Sequence, residues 1–256
     1  MRNLKVKIKK FVCKNEKKEI EKLKKQLKKI KLENKKLKIQ NEFKDDIISA
    51  ISHEFKNPIS IINGYIETIL NNRLDVNTNQ KFLEKIHKNS LRLTNLIDRL
   101  YLVTKIENQK LKPNFKEVKL DNSIKELIKS FDEERLVLNL KPVIIKADKN
   151  LIDIAVSNLI SNALKYSKEK VIIDLNENFL EITDKGVGIE KDKIDLITQK
   201  FYRIAKNDWD NSLGLGLYIT KKIINMHNFK LKIQSEKKKG SKFSIILKED
   251  REHRLQ

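Results

Sequence analysis

Ser52-His53-Glu54-Phe55-Lys56-Asn57-Pro58 is the stretch around which this chain is organised. It lies within a heptad pattern in which apolar residues or asparagine occupy most a and d positions: Ile20, Leu23, Leu27, Ile30, Asn34, Leu37, Asn41, Ile48, Ile51 and Phe55. With Ile48 at position a, His53 falls at position f, opposite the apolar seam. Asn57 follows four residues later and shares the face of His53. The pattern therefore predicts a helix that presents a histidine to solvent.

The heptads predict one helix from about residue 16 to residue 71, followed by a turn over residues 71–77. Pro58 removes a backbone donor, so we expect a kink one turn beyond His53. Asparagine at two a positions favours a parallel, in-register, two-stranded coil. A second helix carries apolar residues at three- and four-residue steps: Phe82, Ile86, Leu93, Leu96, Leu100 and Val103. A hairpin alone cannot bury this stripe, so we expect a homodimer with a four-helix bundle.

The pattern changes after residue 112 and predicts a mixed α/β sandwich. Helices are expected at 120–131, 150–166 and 217–226, and the strands of its sheet at 136–138, 143–145, 171–175, 179–183, 231–233 and 243–247. The predicted fold class is therefore α plus α/β, with a coiled coil and helical hairpin ahead of the sandwich. We divide the chain into a basic coiled-coil extension, a hairpin, an α/β domain and a tail, at residues 1–41, 42–112, 113–250 and 251–256.

The positive charge of the chain is concentrated near its start. The net charge is +21 over 256 residues, and residues 1–44 hold 18 basic and 5 acidic side chains. A solvated, lysine-rich coiled coil explains this arm, and contact with anionic lipid or a receptor tail is the alternative. Nucleic-acid binding is disfavoured because the arm has almost no arginine or aromatic residue for base contacts.

Cysteine content and hydropathy predict a cytoplasmic protein. Cys13 is the only cysteine, which excludes an intramolecular disulfide and fits a reducing compartment. No run of 18 apolar residues predicts a transmembrane helix. The first residues lack the apolar core of a signal peptide.

Two asparagines on one predicted helix are the first sign of a ligand site. Asn158 and Asn162 are four residues apart and lie on one face. An amide oxygen is a suitable neutral ligand for Mg²⁺, and Lys165 can neutralise phosphate charge. Taken alone, the same residues could be a polar helix face.

Glycines in the same domain give three further signals. Asp184-Lys185-Gly186-Val187-Gly188-Ile189 follows a strand and lets the backbone approach a planar ligand, although it is equally typical of a tight turn. Leu213-Gly214-Leu215-Gly216-Leu217 opens a helix whose N–H groups can cradle phosphate. Gly240-Ser241 precedes the last strand. Between the first two signals, a polar stretch with Phe201-Tyr202-Arg203 and Trp209 suits a mobile lid.

Taken in order, these motifs strongly resemble the sensor histidine kinases of two-component systems. The set is His-Glu-x-x-Asn-Pro, Asn-x-x-x-Asn-Ala-x-Lys-Tyr, Asp-x-Gly-x-Gly, Phe-Tyr-Arg, Gly-Leu-Gly-Leu and Gly-Ser. The resemblance covers roughly residues 42–248. It implies an ATP-binding α/β domain, transfer of phosphate from Mg-ATP to a histidine, and a response regulator as partner.

The resemblance also implies a role for each matching residue. His53 would be the phosphoacceptor, Glu54 the adjacent general base, and Asn57 the residue that assists a phosphatase activity. Asn162 would ligate Mg²⁺. The remaining residues of the nucleotide site would be Asn158, Lys165, Tyr166, Asp184, Gly186, Gly188, Phe201, Arg203, Gly214 and Gly216.

Two departures and two alternatives accompany this prediction. Ser212 and Leu213 stand where the family often has Gly followed by Thr or Ser, and the segment between Phe131 and Asp148 is short. Another ATPase of the same nucleotide fold, of the chaperone type or an anti-sigma serine kinase, would lack the exposed helical histidine before Pro58. A non-enzymatic coiled-coil scaffold would not need Asn162 or Asp184.

Overall fold

A computed structural model of the chain describes residues 2–204 and 213–248. Within the first helix it describes side chains at 25–35, 37, 38, 45 and from 47 onward. Trp209, Ser212 and the tail at 251–256 lie outside the described residues, as do the side chains of Cys13, Ile20, Leu23 and Asn41. The chain divides into two units, residues 1–53 and residues 54–256.

The first helix, α1, spans Arg2–Asn71, so it begins well before the predicted start near residue 16. In residues 1–53, four described apolar seam residues are strongly exposed, namely Leu27 53%, Ile30 54%, Leu37 51% and Ile48 62%, whereas Ile51 is half-buried. The helix runs through Pro58 without a break in its assignment. Among the described residues, no helix is both long enough and apolar enough to cross a membrane.

The second helix, α2, spans Val76–Glu107 and forms a hairpin with the end of α1. Asp75 caps it by accepting a hydrogen bond from the backbone N–H of Thr78, at 3.0 Å. The rings of Tyr65 and Phe82 pack against each other with centroids 4.9 Å apart. The predicted turn and second helix are therefore both present.

In the described residues of the α/β part, five strands form one sheet and two form another. The strands are β1 Lys116–Lys119, β2 Leu136–Leu140, β3 Ile144–Ala147, β4 Val171–Leu175, β5 Phe179–Asp184, β6 Lys230–Glu236 and β7 Gly240–Ile246. The large sheet has the order β2-β4-β5-β7-β6, with β2 and β4 parallel and the other pairs antiparallel. The small sheet pairs β1 with β3.

Several details of the predicted α/β domain were wrong, including strand bounds: β6 ends three residues later and β7 begins three residues earlier than predicted. The strand predicted at 143–145 does not join the large sheet, because β3 pairs with β1, which the sequence pattern did not reveal. The helix α3 spans Leu120–Ile128 and ends three residues earlier than predicted. The other helices, α4 Lys149–Tyr166 and α5 Gly216–Met226, match the prediction within one residue.

A core between the sheet and the helices fixes α4 and α5 in place. Its fully buried side chains are Leu120, Ile124, Leu159, Ile160, Ile173, Leu175, Leu180, Ile182, Leu215, Ile219, Ile223 and Ile224. Burying each such side chain contributes about 1.5–3 kcal/mol relative to leaving it exposed. The polar faces of both helices are thus held at fixed positions.

Polar side chains, one of them buried, join the ends of these helices to neighbouring elements. At the end of α5, His227 is buried; its Nδ1 lies 2.8 Å from the Ile223 carbonyl and its Nε2 accepts from the Asp148 N–H at 3.0 Å. Asp148 in turn caps α4. At the other end of α4, Arg135 donates to the carbonyls of Leu164 and Ser167. Both ends of α4 are therefore tied to neighbouring elements by hydrogen bonds.

Candidate nucleotide site

Asn158, Asn162 and Lys165 lie on one face of α4. Asn158 is 7% exposed, and its Nδ2 lies within 3.5 Å of the Gly216 carbonyl oxygen at the start of α5. Asn162 is half-buried and Lys165 is exposed. The structure therefore connects the asparagine motif directly to the Gly-Leu-Gly-Leu turn, as the predicted site requires.

Asp184 ends β5 and is buried, with 5% of its surface exposed. Burial raises the pKa of its carboxyl group, while hydrogen bonds from the backbone N–H groups of Gly186 and Ser241 lower that pKa. The Gly186 N–H donates to Oδ1 at 2.7 Å. This fixed, buried acceptor can receive a hydrogen bond from an amine group of a planar ligand.

The glycines after Asp184 are required by close backbone contacts. A Cβ on Gly186 would lie 2.2 Å from the Tyr166 carbonyl oxygen, at the end of α4. A Cβ on Gly188 would lie 1.9 Å from the Glu236 carbonyl oxygen, and Gly188 has a φ of +63°. The loop can therefore pass between α4 and the β6–β7 turn only without side chains at these positions.

Gly188→Ala is expected to lower the free energy of unfolding and weaken nucleotide binding, because it combines a backbone clash with a left-handed φ. We expect a loss of at least about 1–3 kcal/mol, measured by chemical denaturation. Gly64→Ala is the matched control, since Gly64 lies in α1 and a Cβ added there would have no neighbour within 4 Å. That variant should be neutral or slightly stabilising. Equal stability of Gly188→Ala and wild type would contradict the packing argument.

The Gly-Leu-Gly-Leu turn opens α5 next to Phe201. Phe201 has a φ of +65°, uncommon for a bulky residue, and its N–H donates to the Gly214 carbonyl at 3.1 Å. A Cβ on Gly214, whose φ is +64°, would lie 2.6 Å from the Tyr202 carbonyl oxygen. No described side chain caps the start of α5. Its first N–H groups can therefore bind a phosphate.

Cationic side chains lie near the same region. Although the Lys165 side chain is exposed as a whole, partial burial of its ammonium group is the main cause that lowers its pKa, and the charge of Arg203 lowers that pKa further. Burial raises the pKa of the Tyr166 hydroxyl, and Arg203 opposes that shift. Arg203 thus lies close enough to influence both residues. An anion bound here would be stabilised by two partly desolvated cations.

The donor set limits how a metal ion could bind. Among the described residues, no group of three or more His, Cys, Asp or Glu side chains could hold one. A single amide oxygen, that of Asn162, suits Mg²⁺ when phosphate oxygens and water supply the other ligands. The residues present therefore fit a magnesium ion bound together with a nucleotide.

The predicted phosphoacceptor stretch is only partly as expected. His53 and Asn57 are exposed, in agreement with the heptad register. The Ser52 hydroxyl donates to the Ile48 carbonyl at 2.8 Å. Glu54, in contrast, is 6% exposed, and its Oε2 lies 3.2 Å from Arg92 Nη2 on α2. The role of Glu54 as a general base stays a prediction. In that role, the Glu54 carboxylate would have to interact with His53 while it is paired with Arg92.

Four contacting residues around the site were missed: Arg99, Glu107, Lys200 and Tyr218. Arg99 Nη2 lies 3.4 Å from Asn158 Oδ1, and Glu107 accepts from Lys200 at 2.5 Å and from the Tyr218 hydroxyl at 3.2 Å. The paired residues are 59 to 111 positions apart along the chain. No local pattern carries such information.

Comparison with known proteins identifies both parts of the chain. Residues 43–109 match the family model "His Kinase A (phospho-acceptor) domain". Residues 147–251 match "Histidine kinase-, DNA gyrase B-, and HSP90-like ATPase". These two domains, in this order, define the sensor histidine kinases, and the chain belongs to that family.

Individual relatives agree with this assignment. The phosphate regulon sensor protein PhoR of Pseudomonas aeruginosa is 29% identical over 219 residues, covering 79% of this chain and 49% of PhoR. The histidine kinase AdeS of Acinetobacter baumannii has a TM-score of 0.56 at 24% identity, covering 77% of this chain and 98% of that chain. The histidine kinase ThkA, solved in complex with the response regulator TrrA, has a TM-score of 0.52 at 21% identity, covering 79% of this chain and 60% of that chain.

The chain spans about half the length of the curated relatives it matches. The similarity to solved structures concerns the fold. It agrees with the predicted fold class, a helical hairpin followed by an α/β domain.

Proposed function

We propose that the chain is an ATP-dependent protein-histidine kinase that phosphorylates His53 and passes the phosphoryl group to an aspartate of a response regulator. The observation that carries this proposal is the joint presence of two features. One is an exposed helical histidine within the segment matched by the phosphoacceptor family. The other is a buried Asp184 beside glycines that leave no room for side chains.

The nucleotide would lie against α4, the loop after β5 and the start of α5. Asp184 would accept a hydrogen bond from the adenine amine, with Gly186 and Gly188 shaping its pocket. The α5 N–H groups after Gly214 and Gly216 would bind phosphate, with Lys165, Tyr166, Phe201 and Arg203 around them. A magnesium ion on Asn162 would neutralise phosphate charge and orient it for transfer.

The chemical step would need little more than positioning and charge neutralisation. A bond forms between His53 Nε2 and the γ-phosphorus, and the bond from that phosphorus to the bridging oxygen breaks, releasing ADP. Glu54 would orient the Nδ1–H and take its proton. Asn57 would orient water toward a regulator's aspartyl phosphate, since its amide can both donate and accept.

Two partners follow from the surfaces of the chain. The exposed seam of α1, together with Leu83, Leu91, Ile97 and Tyr101 on α2, supports a homodimer. A response regulator is supported by the family and by the ThkA complex with TrrA. Contact of the basic arm with a membrane surface or a receptor is a further proposal that rests on its charge alone.

The proposed domain division remains 1–41, 42–112, 113–250 and 251–256, and we propose a cytoplasmic location, where ATP is available. The lid predicted between Phe201 and Gly214 is also a proposal, because most of its residues, Trp209 included, lie outside the described ranges. The chaperone-type and anti-sigma alternatives are disfavoured by the match of residues 43–109 to the phosphoacceptor family. A scaffold role is disfavoured by the intact Asn162 and Asp184.

The direct test is incubation of the purified chain with γ-labelled ATP and Mg²⁺. We expect label on the protein that acid removes and alkali retains, and a loss of that label to a response regulator added afterwards. Acid-stable label would favour a serine kinase, and nucleotide binding without label would favour a different ATPase of this fold.

A further inference from the structure

We propose that Arg99 and Glu107 of α2 form a latch that holds the ATPase domain against the hairpin until bound nucleotide takes Asn158 from Arg99. The latch consists of these two residues and their partners Asn158, Lys200 and Tyr218. This inference rests on the proposed nucleotide site. It adds a contact by which the hairpin regulates access to that site.

The first contact of the latch engages a residue of the nucleotide site itself. Arg99 Nη2 lies 3.4 Å from Asn158 Oδ1. A guanidinium has only donors, so it can use only the oxygen of the amide. That oxygen is also the atom with which Asn158 could bind a water or a cation beside the phosphates. The other end of the amide, Nδ2, faces the Gly216 carbonyl at 3.5 Å.

The second contact engages both segments that border the phosphate-binding turn. Glu107 Oε1 lies 2.5 Å from Lys200 Nζ and 3.2 Å from the Tyr218 hydroxyl. Lys200 directly precedes Phe201, whose N–H bonds the Gly214 carbonyl, and Tyr218 is the third residue of α5. The hydrogen bond from Lys200 is the main cause that lowers the pKa of Glu107. Glu107 is therefore charged where it meets the turn.

These contacts make docking and nucleotide binding compete. A nucleotide that uses the amide oxygen of Asn158 displaces Arg99, while the contact of Glu107 with Lys200 and Tyr218 can remain. Both contacts of the latch are partly exposed or long, so each is weak. The state in which the ATPase domain is docked on the hairpin is consequently only slightly more stable than the undocked state. A ligand can therefore shift the equilibrium between the two. Hairpin geometry and nucleotide occupancy are thereby coupled in both directions.

The test is titration calorimetry of the full chain with Mg-ADP. Arg99→Ala and Glu107→Ala should each bind Mg-ADP about two- to fivefold more tightly than wild type, because the competing docked state is lost. Lys85→Ala and Glu67→Ala are matched controls, since both are exposed helical residues of the hairpin. These controls should bind as wild type does. Hydrogen exchange should also show that Mg-ADP lowers the protection of amides 99–107 in wild type.

The outcomes separate the latch from the site on which it rests. Weaker binding by Arg99→Ala would mean that Arg99 contacts the phosphates, and it would overturn the latch. Unchanged affinity in both variants would overturn it as well. If folded wild type fails to bind Mg-ADP, the proposed nucleotide site is wrong and the latch falls with it. If Arg99→Ala fails to fold, the Mg-ADP affinity of Glu107→Ala alone tests the latch. Glu107 is the last residue of α2, so its replacement is not expected to disturb folding.

Discussion

His53→Gln is expected to abolish the acid-labile phosphate that the wild-type chain acquires from labelled ATP. Glutamine keeps a polar, uncharged side chain of similar length, but its amide nitrogen has no free lone pair for attack on phosphorus. His53 is exposed on α1, so the substitution removes no buried contact. We therefore expect complete loss of label, with nucleotide binding and thermal stability unchanged.

His87→Gln is the matched control for this experiment. His87 is the exposed histidine of α2, and it lies within the segment matched by the phosphoacceptor family. Its replacement should leave labelling at the wild-type level. Label retained by His53→Gln and lost by His87→Gln would reassign the phosphoacceptor. Label retained in full by each variant would show that neither His53 nor His87 is the phosphoacceptor.

The helical part of the fold was predictable because its signals are repeated. Heptads predict the exposed position of His53, and the turn signal over residues 71–77 predicts that a second helix follows, which the structure begins at Val76 after the cap residue Asp75. The beginning of α1 at Arg2 was missed because apolar residues in the first 15 positions do not keep the heptad register. The five lysines among the first 15 residues favour a helix but mark no seam.

The small sheet could not be predicted for a different reason. β1 has four residues, three of them charged and exposed, and only Val118 is buried. Such a segment shows no alternation long enough to distinguish a strand from a loop. The pairing of β3 with β1 joins residues about 30 positions apart, so β3 was assigned to the large sheet for lack of any signal to the contrary.

The residues of the nucleotide site were more predictable than the long-range contacts between elements of the fold. Asp184, Gly186, Gly188 and Gly214 were found because glycines and a carboxylate in fixed order mark places where the backbone must come close. The structure explains why the last three of these positions are glycine. At each one, a backbone carbonyl oxygen lies within 3 Å of the place that a Cβ would occupy. The ion pair of Glu54 with Arg92 is a long-range contact, and a sequence pattern cannot show it.

Asp184→Asn is expected to weaken binding of Mg-ADP by about 10- to 150-fold, the loss of about one hydrogen bond to a charged group. Asp184 Oδ1 accepts from the Gly186 N–H at 2.7 Å. An asparagine can keep this bond only by turning its oxygen toward Gly186, which leaves its NH₂ group facing the ligand. The adenine amine would then meet a donor where it needs an acceptor.

Asp174→Asn is the matched control, because Asp174 lies on the neighbouring strand β4 and accepts from Asn139 Nδ2 at 2.7 Å. An asparagine there can still accept this bond, so we expect Mg-ADP affinity to stay within about twofold of wild type. Titration calorimetry on both variants gives the comparison, with circular dichroism as the check on folding. The proposed adenine contact would be wrong if folded Asp184→Asn bound Mg-ADP as tightly as Asp174→Asn. Loss of binding by Asp184→Asn together with normal binding by Asp174→Asn would assign the buried carboxylate to recognition rather than to the stability of the sheet.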